Sequence, residues 1–319
     1  MLMYDKGKVI RREAFKYFLL KLAVFAILFF IGDRIIGKML HLLYMKQKSG
    51  WEYRTKYSME DTKADMLVFG SSRAQQQYNP VFFEQRLPLS CYNVGRDGMG
   101  ILYHHSILSA VLERYKPRLV MLECDAKMFI EYQADYDRLS CLLPFYNNHP
   151  EIQSTIELRS KYEKTKLRSR MYPYNSFLFK GLHGSLKTED ETIKGYLPLD
   201  GALNEPVRKV DLSADYKIDN IKVSFYKSFI KKCSLAGVHI VLTSSPYFSE
   251  ISGSDKSLLL AKKIAGENDI IFIDISKGHP LLNKSSMFDD TAHVNQVGSK
   301  ILSNIIIDSI LSNNTVSLK

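Results

Sequence analysis

Five short apolar runs divide most of the chain into alternating strand-like and helix-like segments. They are rich in Val, Ile and Leu and are bounded by Gly, Pro or polar residues: MLVFG (66–70), CYNVG (91–95), RLVMLEC (118–124), VHIVLTS (238–244) and IIFIDIS (270–276). Such runs are typical of parallel strands that are buried on both faces. Amphipathic stretches lie between or after them, at about 101–115, 220–235, 256–267 and 295–312. The alternation predicts a three-layer α/β/α sandwich with a parallel five-stranded sheet.

The alternation is interrupted between the third and fourth runs. Residues 126–217 contain YPYNSF, GLHGSL and a basic segment, Arg159–Arg170, in which six basic residues are opposed by Glu163 alone. We expect a long insertion with one or two helices of its own. The basic segment is typical of a solvated helix face, and the alternative is a contact with an anionic polymer or with lipid.

An apolar stretch near the N-terminus has the composition of a membrane span. Residues 17–32 read YFLLKLAVFAILFFIG, with Lys21 as the one charge. Lys21 and Arg34 can extend to opposite interfaces, so a helix of about residues 16–36 meets the roughly 20 residues that a bilayer requires. No small-x-small cleavage site follows the stretch, which favours an uncleaved signal anchor over a signal peptide. The alternative is a buried or interfacial amphipathic helix.

The formal net charge of +10 is concentrated around this stretch. Residues 1–50 carry ten Lys/Arg and three Asp/Glu, which is seven of the ten net charges. Basic flanks of this kind meet anionic lipid head groups, so the predicted N-terminal helix has membrane lipid as a partner. A nucleic-acid-binding protein needs a basic face on its folded domain, and no recognisable nucleic-acid motif occurs. We therefore predict no nucleic-acid partner.

The charge asymmetry also predicts an orientation. Six Lys/Arg lie at or before Lys21, against four in residues 34–48, which predicts a cytoplasmic N-terminus. Residues 1–49 are then a cytoplasmic stub and a single-pass anchor in the cytoplasmic membrane. Residues 50–319 are an extracytoplasmic α/β domain with its insertion at about 126–217. The other orientation leaves an anchored domain in the cytoplasm.

The four cysteines carry no CxxC spacing, so neither a zinc knuckle nor a thioredoxin-like motif is supported, and we predict neither a metal site nor a cofactor.

Polar residues follow three of the predicted elements at the edge where ligands bind in parallel sheets. Gly70-Ser71-Ser72-Arg73 follows the first run and can present a hydroxyl at the start of a helix. Asn93-Val94-Gly95 ends the second run, and Asp290 stands three residues before His293 near the last amphipathic stretch. A hydroxyl, an imidazole and a carboxylate are the groups that nucleophilic acyl transfer uses. Each motif alone is typical of a turn or a helix cap.

Together, a GxS after the first strand, an NxG after the second and a DxxH before the last helix resemble the SGNH (GDSL-type) hydrolase superfamily, whose fold is flavodoxin-like. The resemblance covers most of residues 64–312 outside the insertion. It implies Ser72 as the nucleophile, His293 as the base and Asp290 as the carboxylate that orients it. It further implies an oxyanion site formed by the backbone N–H groups of Ser72 and Gly95, with Asn93 in the same motif.

The end of the third strand departs from the superfamily pattern. The superfamily supplies an Asn side chain to the oxyanion hole there, whereas this chain has Asp125, which can donate only when it is protonated. Loss of one such donor typically costs on the order of a hundred- to thousandfold in rate.

Membrane-tethered relatives of this layout also have Ser in place of the motif Asp, and they commonly act with membrane-bound O-acyltransferases in acylating cell-surface polymers. The resemblance therefore implies a membrane-anchored serine esterase or O-acyltransferase that acts on acylated carbohydrate of the cell envelope, with a membrane-bound O-acyltransferase as partner. The alternative is a non-catalytic accessory subunit that binds a glycan or a membrane partner.

Overall fold

The computed structural model describes residues 2–182, 192–204, 208–213 and 215–313. Its helices and strands are, in chain order, α1 (Leu2–Met45), α2 (Gly50–Lys56), β1 (Met66–Phe69), α3 (Ser72–Gln77), α4 (Pro80–Arg86), β2 (Cys91–Asn93), α5 (Ile101–Arg114), β3 (Leu119–Glu123), α6 (Gln133–Asp137), α7 (Pro150–Glu157), α8 (Glu163–Lys166), α9 (Asn175–Leu182), β4 (Arg208–Asp211), α10 (Asn220–Ala236), β5 (His239–Ser244), β6 (Ser249–Ser252), α11 (Lys256–Gly266), β7 (Ile271–Asp274) and α12 (Gln296–Ser312). The chain forms two compact units, Met1–Gln47 with Ser160–Leu186, and Lys48–Arg159 with Lys187–Lys319.

The larger unit is built on a five-stranded sheet in the order β2-β1-β3-β5-β7, and every pair in it is parallel. Strand order reverses at β1, because β2 lies on one side of it and β3 on the other. In open parallel sheets the carboxyl ends of the strands at such a switch point form the usual ligand-binding crevice. The sheet and its two helical layers confirm the predicted α/β/α sandwich.

Alternate residues of each strand point to opposite faces, and both faces are covered. Met66 and Val68 of β1 belong to a core cluster with Ile306 of α12, which also packs against α3 and α4. Phe69 points the other way and makes an edge contact with Phe229 of α10, the helix that packs against α5. Continuous burial on both faces explains why the strand sequences are apolar without interruption.

The long helices of the larger unit begin at side chains that accept hydrogen bonds from their first free amides. Asp219, Asp255 and Asn295 perform this function for α10, α11 and α12. These helices and α5 start and end within about two residues of the amphipathic stretches.

The inserted region contains elements that no apolar periodicity indicated. It holds the short helices α6 to α9 and two 3-10 helices, Arg138–Phe145 and Tyr172–Tyr174. Its strand β4 pairs in parallel with β6 as a separate two-stranded sheet. GLHGSL lies partly outside the described residues.

The smaller unit contains α1, which continues well beyond the predicted span of about residues 16–36. Among the described residues, Arg11–Met45 is the one helical stretch long and apolar enough to cross a membrane, and the side chains of its most apolar window are not buried. Past the apolar run, α1 packs against residues 169–177. A side chain on Gly37 would lie within 2.6 Å of the backbone of Arg170, so glycine permits this close approach.

Candidate active site

A glycine turns the chain sharply from β1 into α3. Gly70 has φ +141°, and a Cβ there would lie 2.7 Å from the Cβ of Ala74 and 2.9 Å from that of Glu123. A side chain at this position would be both strained and obstructed. The turn places Ser71 as the N-cap of α3 and Ser72 as its first residue, at the switch point of the sheet.

The structure brings Ser72, His293 and Asp290 into one hydrogen-bonded series. Ser72 Oγ lies 2.9 Å from His293 Nε2, and His293 Nδ1 lies 2.8 Å from Asp290 Oδ2. The backbone amides of Ala292 and His293 donate to Asp290 Oδ1 at 2.7 and 2.9 Å, so the turn that carries the imidazole also holds the carboxylate. The His293 side chain is 18% exposed and that of Asp290 is 52% exposed.

The carboxylate of Asp290 is held in its ionised form. Partial burial raises its pKa, but the hydrogen bonds from the His293 ring and from the amides of Ala292 and His293 outweigh burial, so the pKa lies below its ordinary value. A carboxylate at this position favours the tautomer with hydrogen on Nδ1 and leaves Nε2 to accept from Ser72. The adjacent Asp289 instead accepts from the backbone N–H of Gly201, at 2.8 Å.

Gly95 and Asn93 lie beside α3 but are bonded to each other. The backbone N–H of Gly95 donates to Asn93 Oδ1 at 2.9 Å. Asn93 is buried, and its Nδ2 donates to the carbonyls of Ala74 and Tyr78, each at 2.8 Å. The Asn93 side chain thus ties the end of β2 to α3. An oxyanion could use the Gly95 amide only by displacing this hydrogen bond.

Asp125, after β3, also accepts hydrogen bonds. Ser71 Oγ donates to Asp125 Oδ2, and Arg73 Nε lies 3.2 Å from Oδ1. The end of β3 therefore carries a carboxyl group that is occupied by a hydroxyl and a guanidinium. The carboxyl positions Ser71 next to the predicted nucleophile.

Sequence reasoning missed the central position of Arg73. Its side chain is 5% exposed, and Nε donates to Glu123 Oε1 at 3.0 Å. Nη1 donates to the carbonyl of Ala292 at 3.0 Å, and Nη2 donates to that of Ser245. Its guanidinium also lies 3.9 Å from the ring centroid of Tyr247. Arg73 thereby connects α3, β3, the loop after β5 and the turn that carries His293.

Glu123, a charged residue at the end of the third apolar run, is the sequence feature that indicates a buried cationic partner such as Arg73. A carboxyl at the end of a buried apolar run must find a partner, because burial of an unpaired charge is costly. Burial raises the pKa of Glu123 well above its ordinary value, Asp125 raises it further, and Arg73 opposes both. Glu123 therefore retains its proton to a higher pH than an exposed glutamate does.

An open cavity of about 410 Å³ lies beside the loop after β5, and Ser72, Asp290 and His293 are not among its lining residues. Tyr247, which stacks on Arg73, lines it, and so does Phe248, whose N–H donates to the carbonyl of Thr291 at 2.9 Å. Its remaining lining includes Lys277 and His279. The cavity thus combines the rings of Tyr247 and Phe248 with the cationic side chain of Lys277.

Cys91, Cys124, Cys141 and Cys233 are free thiols. Within the described ranges, no cluster of three or more His, Cys, Asp or Glu side chains is arranged as metal ligands.

No known family profile matches the chain, and no curated protein matches it. Among solved structures, the chain is similar to one described as "a putative acylhydrolase" from Bacteroides fragilis NCTC 9343, with 13% sequence identity and a TM-score of 0.43. That similarity covers 85% of this chain and 100% of the other. The fold assignment therefore depends on the strand order and layers of this chain itself.

Proposed function

We propose that this protein is a serine esterase or O-acyltransferase of the SGNH type. The observation that carries the proposal is the hydrogen-bonded series from Ser72 Oγ through the His293 ring to Asp290, with heavy-atom distances of 2.9 and 2.8 Å. Nucleophile, base and orienting carboxylate are within hydrogen-bond reach of one another, as nucleophilic acyl transfer requires.

In the proposed reaction, Ser72 Oγ attacks the ester carbonyl while His293 Nε2 takes its proton. The resulting imidazolium is stabilised by Asp290, and it returns the proton to the departing alcohol as the acyl-enzyme forms. Water, or a sugar hydroxyl, then attacks the acyl group, with His293 again as the base. Exclusion of water from the cleft decides between hydrolysis and transfer.

The oxyanion would be bound at the start of α3. The N–H of Ser72 is the first donor, because the first amides of a helix have no intrahelical acceptor. The N–H of Gly95 becomes a second donor once the oxyanion displaces Asn93 Oδ1. Asp125 supplies none while it is ionised, so we expect a slower reaction than that of a site with three donors.

We further propose that α1 anchors the protein in the cytoplasmic membrane by a single span, with its N-terminus in the cytoplasm and the α/β unit outside. The exposed apolar stretch of α1 and the greater number of Lys/Arg before the span support this topology. The proposed substrate is acylated carbohydrate of the cell envelope, and a membrane-bound O-acyltransferase is the proposed partner. The cavity beside Tyr247 and Lys277 suits a sugar with an anionic group.

The direct test is to incubate the full chain in detergent with a fluorophosphonate and to measure its intact mass. We expect one adduct, which is absent from Ser72→Ala and much slower to form in His293→Ala. Ser224→Ala changes a serine on the exposed side of α10 and serves as the matched control. Absence of an adduct from protein with native circular dichroism would contradict the proposal.

One observation favours the second candidate, an accessory subunit that binds glycan without chemistry. The Gly95 amide is already bonded, and Asp125 occupies the position of the third donor. If the protein is an accessory subunit, the wild type and the Ser72→Ala variant should bind acetylated oligosaccharide with equal affinity. Neither protein should form the fluorophosphonate adduct. Adduct formation by the wild type excludes this candidate.

A further inference from the structure

The proposed mechanism leaves the basic side chains of the smaller unit unused. Asp33 of α1 is buried, and it accepts hydrogen bonds from Ser169 Oγ and from the backbone amides of Arg170 and Met171, the last two at 2.9 and 3.2 Å. Further along the helix, His41 Nδ1 lies 2.7 Å from the hydroxyl of Tyr174. These contacts hold the segment after residue 160 against one face of α1.

The hydrogen bonds at Asp33 determine the depth of that segment if α1 spans a bilayer. Asp33 comes immediately after the apolar run of residues 17–32, which covers about 24 Å at 1.5 Å per residue. Because the hydrocarbon core of a bilayer is about 30 Å thick, Asp33 lies within a turn or two of its boundary. Residues 169–171, bonded to Asp33, are therefore at the level of the lipid head groups.

The segment bonded to Asp33 and the residues just before it in the chain carry exposed basic side chains. Lys161, Lys164, Lys166, Arg168 and Arg170, together with Lys38 of α1, form a group that we call the juxtamembrane cluster, and all six are exposed. In the described part of the chain, Lys164, Arg168 and Arg170 have no acidic partner.

The acids of the same region are turned inward. The side chain of Glu163 is 1% exposed and accepts from the hydroxyl of Tyr172 at 2.6 Å. Lys166 lies 3.4 Å from the same carboxylate. Asp33 accepts from Ser169 and two backbone amides and lies 3.7 Å from Arg34. These two acids therefore pair with Lys166 and Arg34, and among the described residues they leave Lys164, Arg168 and Arg170 unpaired.

The other face of α1 remains apolar beyond Asp33. Its exposed large side chains recur at helical spacing: Ile35, Ile36, Met39, Leu42 and Leu43. A helix that carries an apolar face next to a basic one is typical of the interface between lipid tails and head groups.

We infer that the juxtamembrane cluster binds the phosphates of anionic phospholipids on the side of the membrane where α1 emerges. The inference rests on the membrane anchoring proposed above and is independent of the esterase chemistry. Cationic side chains beside an anionic surface each contribute on the order of 1 kcal/mol, which corresponds to about fivefold in binding. The cluster therefore selects anionic over zwitterionic lipid around the anchor.

The experiment measures lipid selectivity around the full chain reconstituted in phosphatidylcholine membranes. Spin-labelled phosphatidylglycerol or spin-labelled phosphatidylcholine is added as a tracer, and the immobilised fraction of each is read by electron paramagnetic resonance. We expect a preference of about fivefold for phosphatidylglycerol, lost in the Lys161→Gln/Lys164→Gln/Arg168→Gln variant and in 1 M salt. The matched control, Lys227→Gln/Lys231→Gln/Lys300→Gln, removes three exposed charges from α10 and α12 and should keep the preference.

Two further arms separate the possible failures. Flotation of the wild type with phosphatidylcholine vesicles in 1 M salt tests the anchor itself, so a chain that does not float contradicts the anchoring. A charge-conserving variant, Lys161→Arg/Lys164→Arg/Arg168→Lys, changes the same three side chains but keeps their charge. It should therefore keep the preference that the triple Gln variant loses.

Equal immobilisation of the two lipids by floated wild type overturns the inference. So does retention of the preference by the Gln variant. Binding of soluble polygalacturonate by the wild type but not by the triple Gln variant, together with no lipid preference, would instead assign the cluster to an anionic envelope polymer.

Discussion

At the residue scale, the two neighbouring carboxyls Asp289 and Asp290 are assigned different functions by their hydrogen bonds. Asp290 accepts from the His293 ring, whereas Asp289 accepts from the backbone N–H of Gly201. The DxxH spacing alone favoured Asp290, because three residues span about one turn. The structure adds the two amides that hold the carboxylate in place.

Asp290→Asn should reduce the rate of acyl-enzyme formation by roughly 10³–10⁴-fold, because the amide no longer favours the histidine tautomer that accepts from Ser72. Asp289→Asn is the matched control and should stay within a few-fold of the wild type. The pseudo-first-order rate of fluorophosphonate labelling checks both. Equal losses in the two variants would remove Asp290 from the proposed mechanism.

A second prediction at the residue scale concerns the contribution of Arg73 to the free energy of unfolding. Arg73→Ala removes the guanidinium that contacts the carboxyls of Glu123 and Asp125. Because the raised pKa of Glu123 lets it hold a proton once the cation is gone, we expect a loss of about 1–3 kcal/mol, the cost of leaving buried hydrogen-bonding groups unsatisfied. Adding Glu123→Gln should restore part of the loss, because the amide needs no cation. Urea unfolding of the single and double variants in detergent measures the coupling, and additive losses would show that the two side chains act separately.

At the scale of elements, the apolar runs predicted all five strands of the main sheet and the amphipathic stretches predicted four of its helices. These predictions succeeded because a strand that is buried on both faces is apolar along its length, and a helix that is buried on one face repeats apolar residues every three or four positions. The pairing of β4 with β6 and the contacts of Arg73 with Glu123 and Ala292 were not predictable in this way. Both depend on which distant segments meet, and a residue's own neighbours do not encode that.

Helix α5 carries two adjacent histidines that the structure buries. Burial lowers the pKa of His104 to about 4 and that of His105 to about 4. His104 makes edge contacts with Phe69 and Tyr103, and His105 lies 3.0 Å from Ser228 Oγ. Both are therefore packing groups that remain neutral at pH 7.

Acid should destabilise the protein through these two side chains. An unfolded histidine has a pKa near 6.5, so between pH 6.5 and pH 4 the unfolded chain binds protons that the folded chain does not. The stabilisation is complete above pH 6.5 and falls as the pH is lowered, by about 2 kcal/mol for each histidine at pH 5. Urea midpoints at pH 7 and pH 5 measure this, and His104→Gln/His105→Asn should flatten the difference. An unchanged slope in that variant would assign the acid sensitivity to other groups.

At the scale of the whole molecule, α1 and one part of the inserted region, Ser160–Leu186, belong to the same compact unit. Tyr174 and Phe177, from the middle of the chain, make edge contacts with Tyr44 of α1. The hydropathy and strand patterns predicted an anchor that ends at residue 49 and a single insertion over residues 126–217. Contacts between segments more than 100 residues apart divide the chain differently, because packing joins whichever apolar faces meet.

Truncation before residue 50 should remove the contacts that hold residues 160–182 against α1. A chain that begins at residue 50 lacks Asp33, Leu40 and Tyr44, so residues 160–182 lose the carboxylate and the apolar side chains that hold them. We expect limited trypsin digestion of the truncated chain to cut first between Lys161 and Arg170, while the sheet and the helices on it remain intact. In the full chain in detergent the same sites should be cleaved at least about tenfold more slowly, which corresponds to about 1.4 kcal/mol of local stability.

The exposed lysines of α10 report general protease access and should be cut at equal rates in both chains. Equal cleavage of residues 161–170 in the two proteins would show that α1 does not stabilise this segment, and would weaken the depth argument that assigns the juxtamembrane cluster to lipid head groups.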